Sequence, residues 1–317
     1  MNKFYQYFIF SFSIFILFHA GACAQEIKPD SVASAWAFGG SANLNFSQVN
    51  VNNWAAGGQN SMSVLGMTNL VANYKRGKNT WNNSLGLTLG TVKLENQRVR
   101  KSDDRLEVNI KYGRETSSKR WFYTGQINLK SQLTPTYNDA KDTIVSNFLS
   151  PGFILVSAGM DYKPSPRLSI FMSALTGKFT VVLSQQLADI GAFGVRPAWK
   201  SEVGKLMPGT GQRFRKEMGG YINVRYTDEV IKNVTLRSKL DLFSNYLTDP
   251  ENVDVNWENI VDFKVNKFIS ANLFLHMIYD DDILIKVDTT GDGVKDSKAP
   301  RLQVKETLGI GFAYKFK

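Results

Sequence analysis

From residue 36 onward the chain alternates apolar and polar positions. In residues 105–115 (RLEVNIKYGRE), Leu106, Val108, Ile110 and Tyr112 interleave with Arg105, Glu107, Asn109 and Lys111. In 120–132 (RWFYTGQINLKSQ), Trp121, Tyr123, Ile127 and Leu129 interleave with Thr124, Gln126, Asn128 and Lys130. In 217–227 (EMGGYINVRYT), Met218, Ile222, Val224 and Tyr226 oppose Glu217, Asn223 and Arg225. A period of two predicts strands with one apolar and one polar face. Twelve such runs are found: 36–49, 60–75, 80–95, 104–116, 120–133, 153–163, 167–185, 214–227, 233–247, 253–265, 268–279 and 301–316.

The connections alternate as well. Short joins at 75–79, 116–119, 164–167, 228–233 and 265–267 take turns with mostly longer ones at 50–59, 96–103, 134–152, 186–213, 248–252 and 280–300. Short periplasmic turns alternating with long outer loops are the mark of a transmembrane β-barrel, and an even strand count returns both ends to one side. A soluble sandwich has no cause to keep that alternation. The expected fold is therefore an all-β, closed antiparallel transmembrane barrel of about 12 strands, spanning residues 36–317 after a short periplasmic segment at 25–35. In lipid the apolar face meets acyl chains and the polar face meets the lumen. Aromatic residues belong at the interfaces. Trp54, Trp81, Trp121 and Trp257 are the rim candidates, with Gly57 and Gly58 supplying a turn beside Trp54.

Residues 1–24 carry one lysine, an apolar run at 8–18 and small residues ending in Ala22-Cys23-Ala24. This pattern predicts an export leader cleaved between Ala24 and Gln25, because the run is too short to span a bilayer. Cys23 raises a lipid-attachment reading, against which Ala20 stands where such a box usually carries Leu. Cleavage after Ala24 would leave no cysteine, so stability has to come from a large hydrogen-bonded fold.

The segment FSQVNVNNWAAGGQNSMSV (46–64) resembles the opening of a family of Gram-negative envelope proteins, domain of unknown function 3078. Gln48, Asn53-Trp54, Gly57-Gly58 and Asn60-Ser61 carry the likeness. The resemblance implies an outer-membrane barrel and transfers no mechanism. Near the end of the chain, Gly311, Tyr314 and Phe316 resemble the C-terminal signature read by the barrel-assembly machinery of Gram-negative bacteria. Lys317 after the last aromatic and Gly309 at a usually polar position depart from it. The expected partners are outer-membrane lipid, that machinery and a small solute.

Composition adds a formal charge of +10, from 38 basic and 28 acidic residues. The signs are interspersed and no nucleic-acid motif is present, so no nucleic-acid partner is expected. On the alternating register Arg105, Lys111, Lys130, Arg225, Arg237, Lys239, Lys264 and Lys305 face the lumen. Glu107, Asp161, Glu217, Asp241, Glu258 and Asp262 face it too. These groups either line a narrow water-filled passage or pair across the lumen and close it. Interleaved signs favour a packed or narrowly open interior.

The leading functional reading is a narrow channel or transport protein for small solutes. A barrel hydrolase acting on lipid or peptide, and a non-conducting structural or adhesive barrel working through its loops, are the alternatives. A hydrolase needs a base beside its nucleophile. His276 is the one histidine after the leader and the one candidate, and it shares its face with Phe274 and Ile278. In the last long loop, DTTGDGVKD places Asp288, Asp292 and Asp296 at positions one, five and nine of a calcium loop, with Gly293 at six. Thr290 and Ala299 stand where further ligands belong, so calcium is a candidate cofactor on a partial motif. No other cofactor is expected.

Overall fold

The structure, a computed structural model, describes residues 34–50, 60–95, 97–138, 143–266, 268–288, 290 and 296–316. The expected leader with Ala24 and Gln25, the rim candidates Trp54, Gly57 and Gly58, and Asp292 lie outside the described residues. Twelve long strands form the barrel: β1 (Trp36–Val49), β2 (Ser61–Arg76), β3 (Asn79–Leu94), β4 (Arg100–Glu115), β5 (Trp121–Ser131), β8 (Gly152–Ser165), β9 (Leu168–Val181), β10 (Phe214–Ile231), β11 (Val234–Asn245), β12 (Val253–Lys264), β13 (Ile269–Tyr279) and β16 (Gln303–Phe316). They close in the order β1-β16-β13-β12-β11-β10-β9-β8-β5-β4-β3-β2, every pair antiparallel. Lengths run from 11 residues in β5 to 18 in β10, enough to cross the hydrocarbon when tilted.

The five short joins gather at one end, where a two-residue turn between β2 and β3 uses Gly77 at φ 57°. The long connections gather at the other and carry the remaining elements. A small hairpin pairs β6 (Thr136–Tyr137) with β7 (Ile144–Ser146), and another pairs β14 (Leu284–Val287) with β15 (Ser297–Pro300). Between β9 and β10 lies a five-residue helix, α1 (Gln185–Asp189). These pieces are too short to show a period, so the pattern of apolar residues does not predict them.

The loop containing α1 has its own core of Val182, Leu187, Ala188 and Val195, covered by Ala192 and Phe193. Asp189 stitches it together: its carboxylate accepts the N–H groups of Gly209 and Gly211 at 2.8 and 2.9 Å and the Gln185 amide at 2.8 Å. The Gly209 N–H foremost, then Gln185, hold the Asp189 carboxyl below its ordinary range.

The outer wall is apolar. On β16, Leu308, Ile310, Phe312 and Tyr314 share the outer face and are each more than 60% exposed, at 69, 63, 69 and 63%. A stripe this apolar in water would template aggregation, and in a bilayer it meets acyl chains. At the turn end aromatic rings gather in two clusters. Trp81 and Tyr74 pack on Trp36 at 5.9 and 5.2 Å between ring centroids, and Trp121 packs on Tyr162 at 4.7 Å. Trp257 departs from the expected rim. It is the fifth residue of β12, inside the strand, where its indole N–H finds Ser238 Oγ at 2.9 Å. With that partner within the wall, the indole does not need a headgroup to satisfy its donor.

Closure rests on the shortest of the barrel's ladders. β1 pairs with β2 along its whole length but with β16 only from Gly40↔Phe316 to Asn45↔Gly311. A Cβ on Gly311 would stand 2.1 Å from the Leu44 carbonyl oxygen, and one on Gly40 would stand 2.7 Å from the Phe316 ring. Glycine at 311 therefore lets the two ends of the chain meet. Gly125, by contrast, faces open space.

Gly311→Ala is expected to destabilise the folded barrel by about 1–3 kcal/mol, as overpacking does. Gly125→Ala should not. Urea midpoints read by heat-modifiable gel mobility compare the two; equal midpoints would remove the seam argument. Asp189 sets a pH dependence. Its folded pKa is depressed, so its contribution is present above the ordinary value of 3.8 and is lost as pH falls below that value through the folded pKa. Limited proteolysis of the 182–213 loop should accelerate on acidification in the wild type, while Asp189→Asn should be cut readily at neutral pH.

Candidate functional site in the barrel lumen

Alternation carries the charged residues of β4, β5, β10, β11 and β12 inward, and in this narrow barrel they reach one another across the lumen. β4 and β12 stand six strands apart in either direction around the ring. Yet Arg105 on β4 reaches Glu258 on β12 at 2.6 Å. Lys239 on β11 reaches Glu107 on β4 at 2.6 Å, and Lys130 on β5 reaches Glu258 at 3.2 Å. Arg105 also pairs with Glu107 on its own strand. Asp241 lies 3.8 Å from both Lys130 and Lys239. Three cations, Arg105, Lys130 and Lys239, thus meet three carboxylates, Glu107, Asp241 and Glu258, and the cluster is neutral.

Amides and a phenol complete it. Asn109 and Asn128 each donate to Glu107 Oε1 at 3.2 Å. Tyr221 and Asn223 donate to Asp241 Oδ1 at 2.5 and 2.7 Å, and Arg225 donates to Asn223 at 2.9 Å. Taking charges out of water is expensive, and each carboxylate here is met by several donors.

Two further layers flank this bridge. Toward the turn end Asp161, fully buried, pairs with Lys111 at 2.8 Å and Lys163 at 3.5 Å and accepts the Ser169 hydroxyl at 2.6 Å. Toward the loop end Lys178 gathers Asp254 at 2.7 Å, Glu217 at 3.5 Å and Asp280 at 3.9 Å, and Arg215 joins Glu217 at 2.7 Å and Asp282 at 2.5 Å. Desolvation pushes the Asp280 carboxyl, at the start of its loop, above its ordinary range.

The interior is lopsided. Beside the β8–β11 wall it is dry and packed around Phe171, Tyr221 and Phe243, with Leu155 against them. Lys111 and Lys178 lie over the Phe171 and Phe243 rings at 5.2 and 4.9 Å. The opposite wall leaves a cavity of about 270 Å³ lined by residues that include Asn43, Asn45, Asn69, Thr88, Asn272 and Thr307. A second of about 200 Å³ shares Asn69, Gly86, Glu107 and Glu258 with it.

The residues predicted to line the lumen take these places: Arg105, Glu107, Lys130, Lys239, Asp241 and Glu258 in the bridge, Lys111 and Asp161 below it, Glu217 above it and Arg225 at its flank. Arg237 pairs with Asp262 at 2.5 Å. Lys305 reaches Asp103 at 2.7 Å, and Lys264 is exposed near the turn end. The aromatic core of Phe171, Tyr221 and Phe243 was not among the predicted residues. These three share the parity of charged or polar neighbours, such as Asp241 beside Phe243 and Asn223 beside Tyr221, and that parity is the signal that places them inside.

His276 faces the lumen, as its parity predicts, in register opposite Glu258 and Lys305. Its Nε2 meets Asn256 Oδ1 at 2.7 Å, and its ring lies 5.7 Å from Phe274. An amide oxygen is no nucleophile, so this contact builds no catalytic pair. Asp288 and Asp296 lie at the two ends of the connection between β14 and β15, and Asp288 Oδ1 accepts the Thr290 N–H at 3.0 Å. Among the described residues no group of three or more His, Cys, Asp or Glu converges on a metal position.

A closed antiparallel barrel with an apolar outer wall and a charged interior is a transmembrane β-barrel of the outer-membrane type. Residues 46–137 match the family described as Protein of unknown function (DUF3078), as the likeness in 46–64 implied. No curated protein matches the chain. Among solved structures it is similar to the COG4313 outer membrane channel from Pseudomonas putida F1, at 12% identity and TM-score 0.40, over 92% of this chain and 100% of that one. It is also similar to the translocator domain of autotransporter NalP from Neisseria meningitidis, at 9% identity and TM-score 0.37, over 91% and 90%. A third is outer membrane phospholipase A from Escherichia coli, at 10% identity and TM-score 0.35, over 92% and 94%.

Truncating one member of a buried ion-paired network strands its partners, at a cost of about 3–5 kcal/mol. Glu258→Ala should therefore lower the urea midpoint of the barrel strongly, since it leaves Arg105, Lys130 and Lys239 facing only two carboxylates. Lys305→Ala, which removes a half-exposed pair, should change stability by no more than about 1 kcal/mol. Similar midpoints for the two variants would show that the bridge does not hold the barrel together.

Proposed function

We propose that the protein is an outer-membrane barrel of a Gram-negative envelope whose lumen is a narrow, gated passage for small polar solutes. The observation that carries this reading is the bridge of Arg105–Glu258, Lys239–Glu107 and Lys130–Glu258 across the lumen, with amide-lined space beside it. Lysine and arginine side chains form the obstruction, and their rotamer changes are fast compared with refolding of a loop. The cavity beside them is polar enough to hold water, lined by Asn43, Asn45, Asn69 and Asn272. Equal numbers of each charge in the bridge favour no strong ion selectivity once it opens.

The gate also explains why six charged groups sit inside a narrow wall. An apolar plug of the same volume would seal the lumen at lower desolvation cost. It would have no second arrangement into which to open.

Planar-bilayer recording tests this. The wild type is expected to show small, infrequent conductance steps. A variant with Arg105, Lys239 and Glu258 all changed to Ala should show steps several times larger. Absence of conductance from both proteins, each verified as folded, would sink the passage and leave a non-conducting barrel.

A further inference from the structure

At the loop end of β10 four cations line one cleft: Arg196, Arg213, Arg215 and Lys216, with Phe214 among them. The backbone brings them together. The Gln212 N–H bonds the Arg196 carbonyl at 2.9 Å, and the Val182 N–H bonds the Arg213 carbonyl at 2.8 Å. Gly194, at φ +78°, lets the loop close over Arg215, since a Cβ there would stand 2.3 Å from the guanidinium.

The charges in this cleft are not balanced. Arg215 is neutralised by Glu217 and Asp282. Arg213 donates through Nε to the neutral Gln185 amide at 2.7 Å. Asp189 is near enough for Arg213 to act on it, but its oxygens are occupied by Gly209, Gly211 and Gln185. Lys216 sits 5.7 Å over the Phe214 ring. Arg196, Arg213 and Lys216 are all exposed, and none of them has a carboxylate salt-bridge partner among the described residues. Three exposed cations converging on one cleft concentrate positive charge there, which points outward to an anion.

The surroundings say which anion. Phe214 and Lys216 alternate with inward-facing Arg215 and Glu217 and therefore lie on the outer wall. Phe214 stacks on Phe179 with centroids 5.6 Å apart, giving an apolar step below the cations. Guanidinium groups fit phosphate oxygens in a fork, and an aromatic step beneath them suits an acyl chain. We propose that this cleft binds the phosphate headgroup of a membrane amphiphile, with Arg196, Arg213 and Lys216 on the phosphate and the Phe179–Phe214 pair against the chain. A free anion shares the phosphate chemistry but has no use for the ring pair.

Native mass spectrometry of the full barrel in neutral detergent tests the proposal, with dioleoyl phosphatidic acid, dioleoyl phosphatidylcholine and inorganic phosphate as probes. The wild type should retain phosphatidic acid at about tenfold lower concentration than phosphatidylcholine. Changing Arg196, Arg213 and Lys216 together to Ala should erase that preference. Changing Lys75, Arg76 and Arg114 to Ala, at the turn end, should leave it intact. The single variant Lys216→Gln, a surface change, should weaken retention even if the triple variant folds poorly. Undiminished retention in both the triple and the single variant would overturn the site. Complete displacement by inorganic phosphate at concentrations matching the lipid would assign the cleft to a free anion and overturn the amphiphile.

Discussion

In a bilayer there is no water to satisfy a backbone N–H or carbonyl, so a sheet survives there only when it closes on itself. The whole structure depends on that closure, and closure depends on the meeting of β1 and β16. Their shared ladder is the shortest in the barrel, from Gly40 to Asn45. The residues on either side are shaped for it: Gly311 admits the Leu44 carbonyl, and the Phe316 ring covers Gly40 where a side chain would collide. The outward row of Leu308, Ile310, Phe312 and Tyr314 then becomes the lipid face of the seam rather than an aggregation-prone edge.

Once the wall is closed, its polar face has nowhere to go but inward. Twelve strands leave a bore that long side chains can span, so Arg105 meets Glu258 from the opposite wall. The result is a neutral network in place of an apolar core on that level, while Phe171, Tyr221 and Phe243 form a small dry core beside it. Buried ion pairs are a weak source of net stability but a strong source of register, because each misaligned strand would strand a charge. The amide-lined space on the β1–β3 side is bordered by these long side chains and not filled by them.

Most of the architecture was legible in the chain. The period of two located all twelve barrel strands to within a few residues, because a wall facing lipid on one side and water on the other imposes that alternation. The parity of each run also placed the charged residues on the inner face, His276 included. What could not be read was local or non-periodic. The strands of the β6–β7 and β14–β15 hairpins, and α1, are each five residues or fewer. Trp257 has the composition of a rim residue but lies within β12, satisfied by Ser238. Phe171 and Phe243 have the composition of lipid-facing residues and yet face the lumen.

By itself, then, the amino-acid sequence determined the fold class, the strand count and the face on which each charge lies, because these follow from hydrophobic alternation and the reach of the backbone. Only the tertiary structure decided who meets whom. The partner of Glu258 is Arg105, 153 residues away, and that of Lys239 is Glu107, 132 residues away. No spacing along the chain encodes such pairs; they follow from the diameter and register of the closed barrel. The same holds for the cationic cleft, where the Arg196 carbonyl accepts the Gln212 N–H beside Arg213, inside a loop that has no period to read.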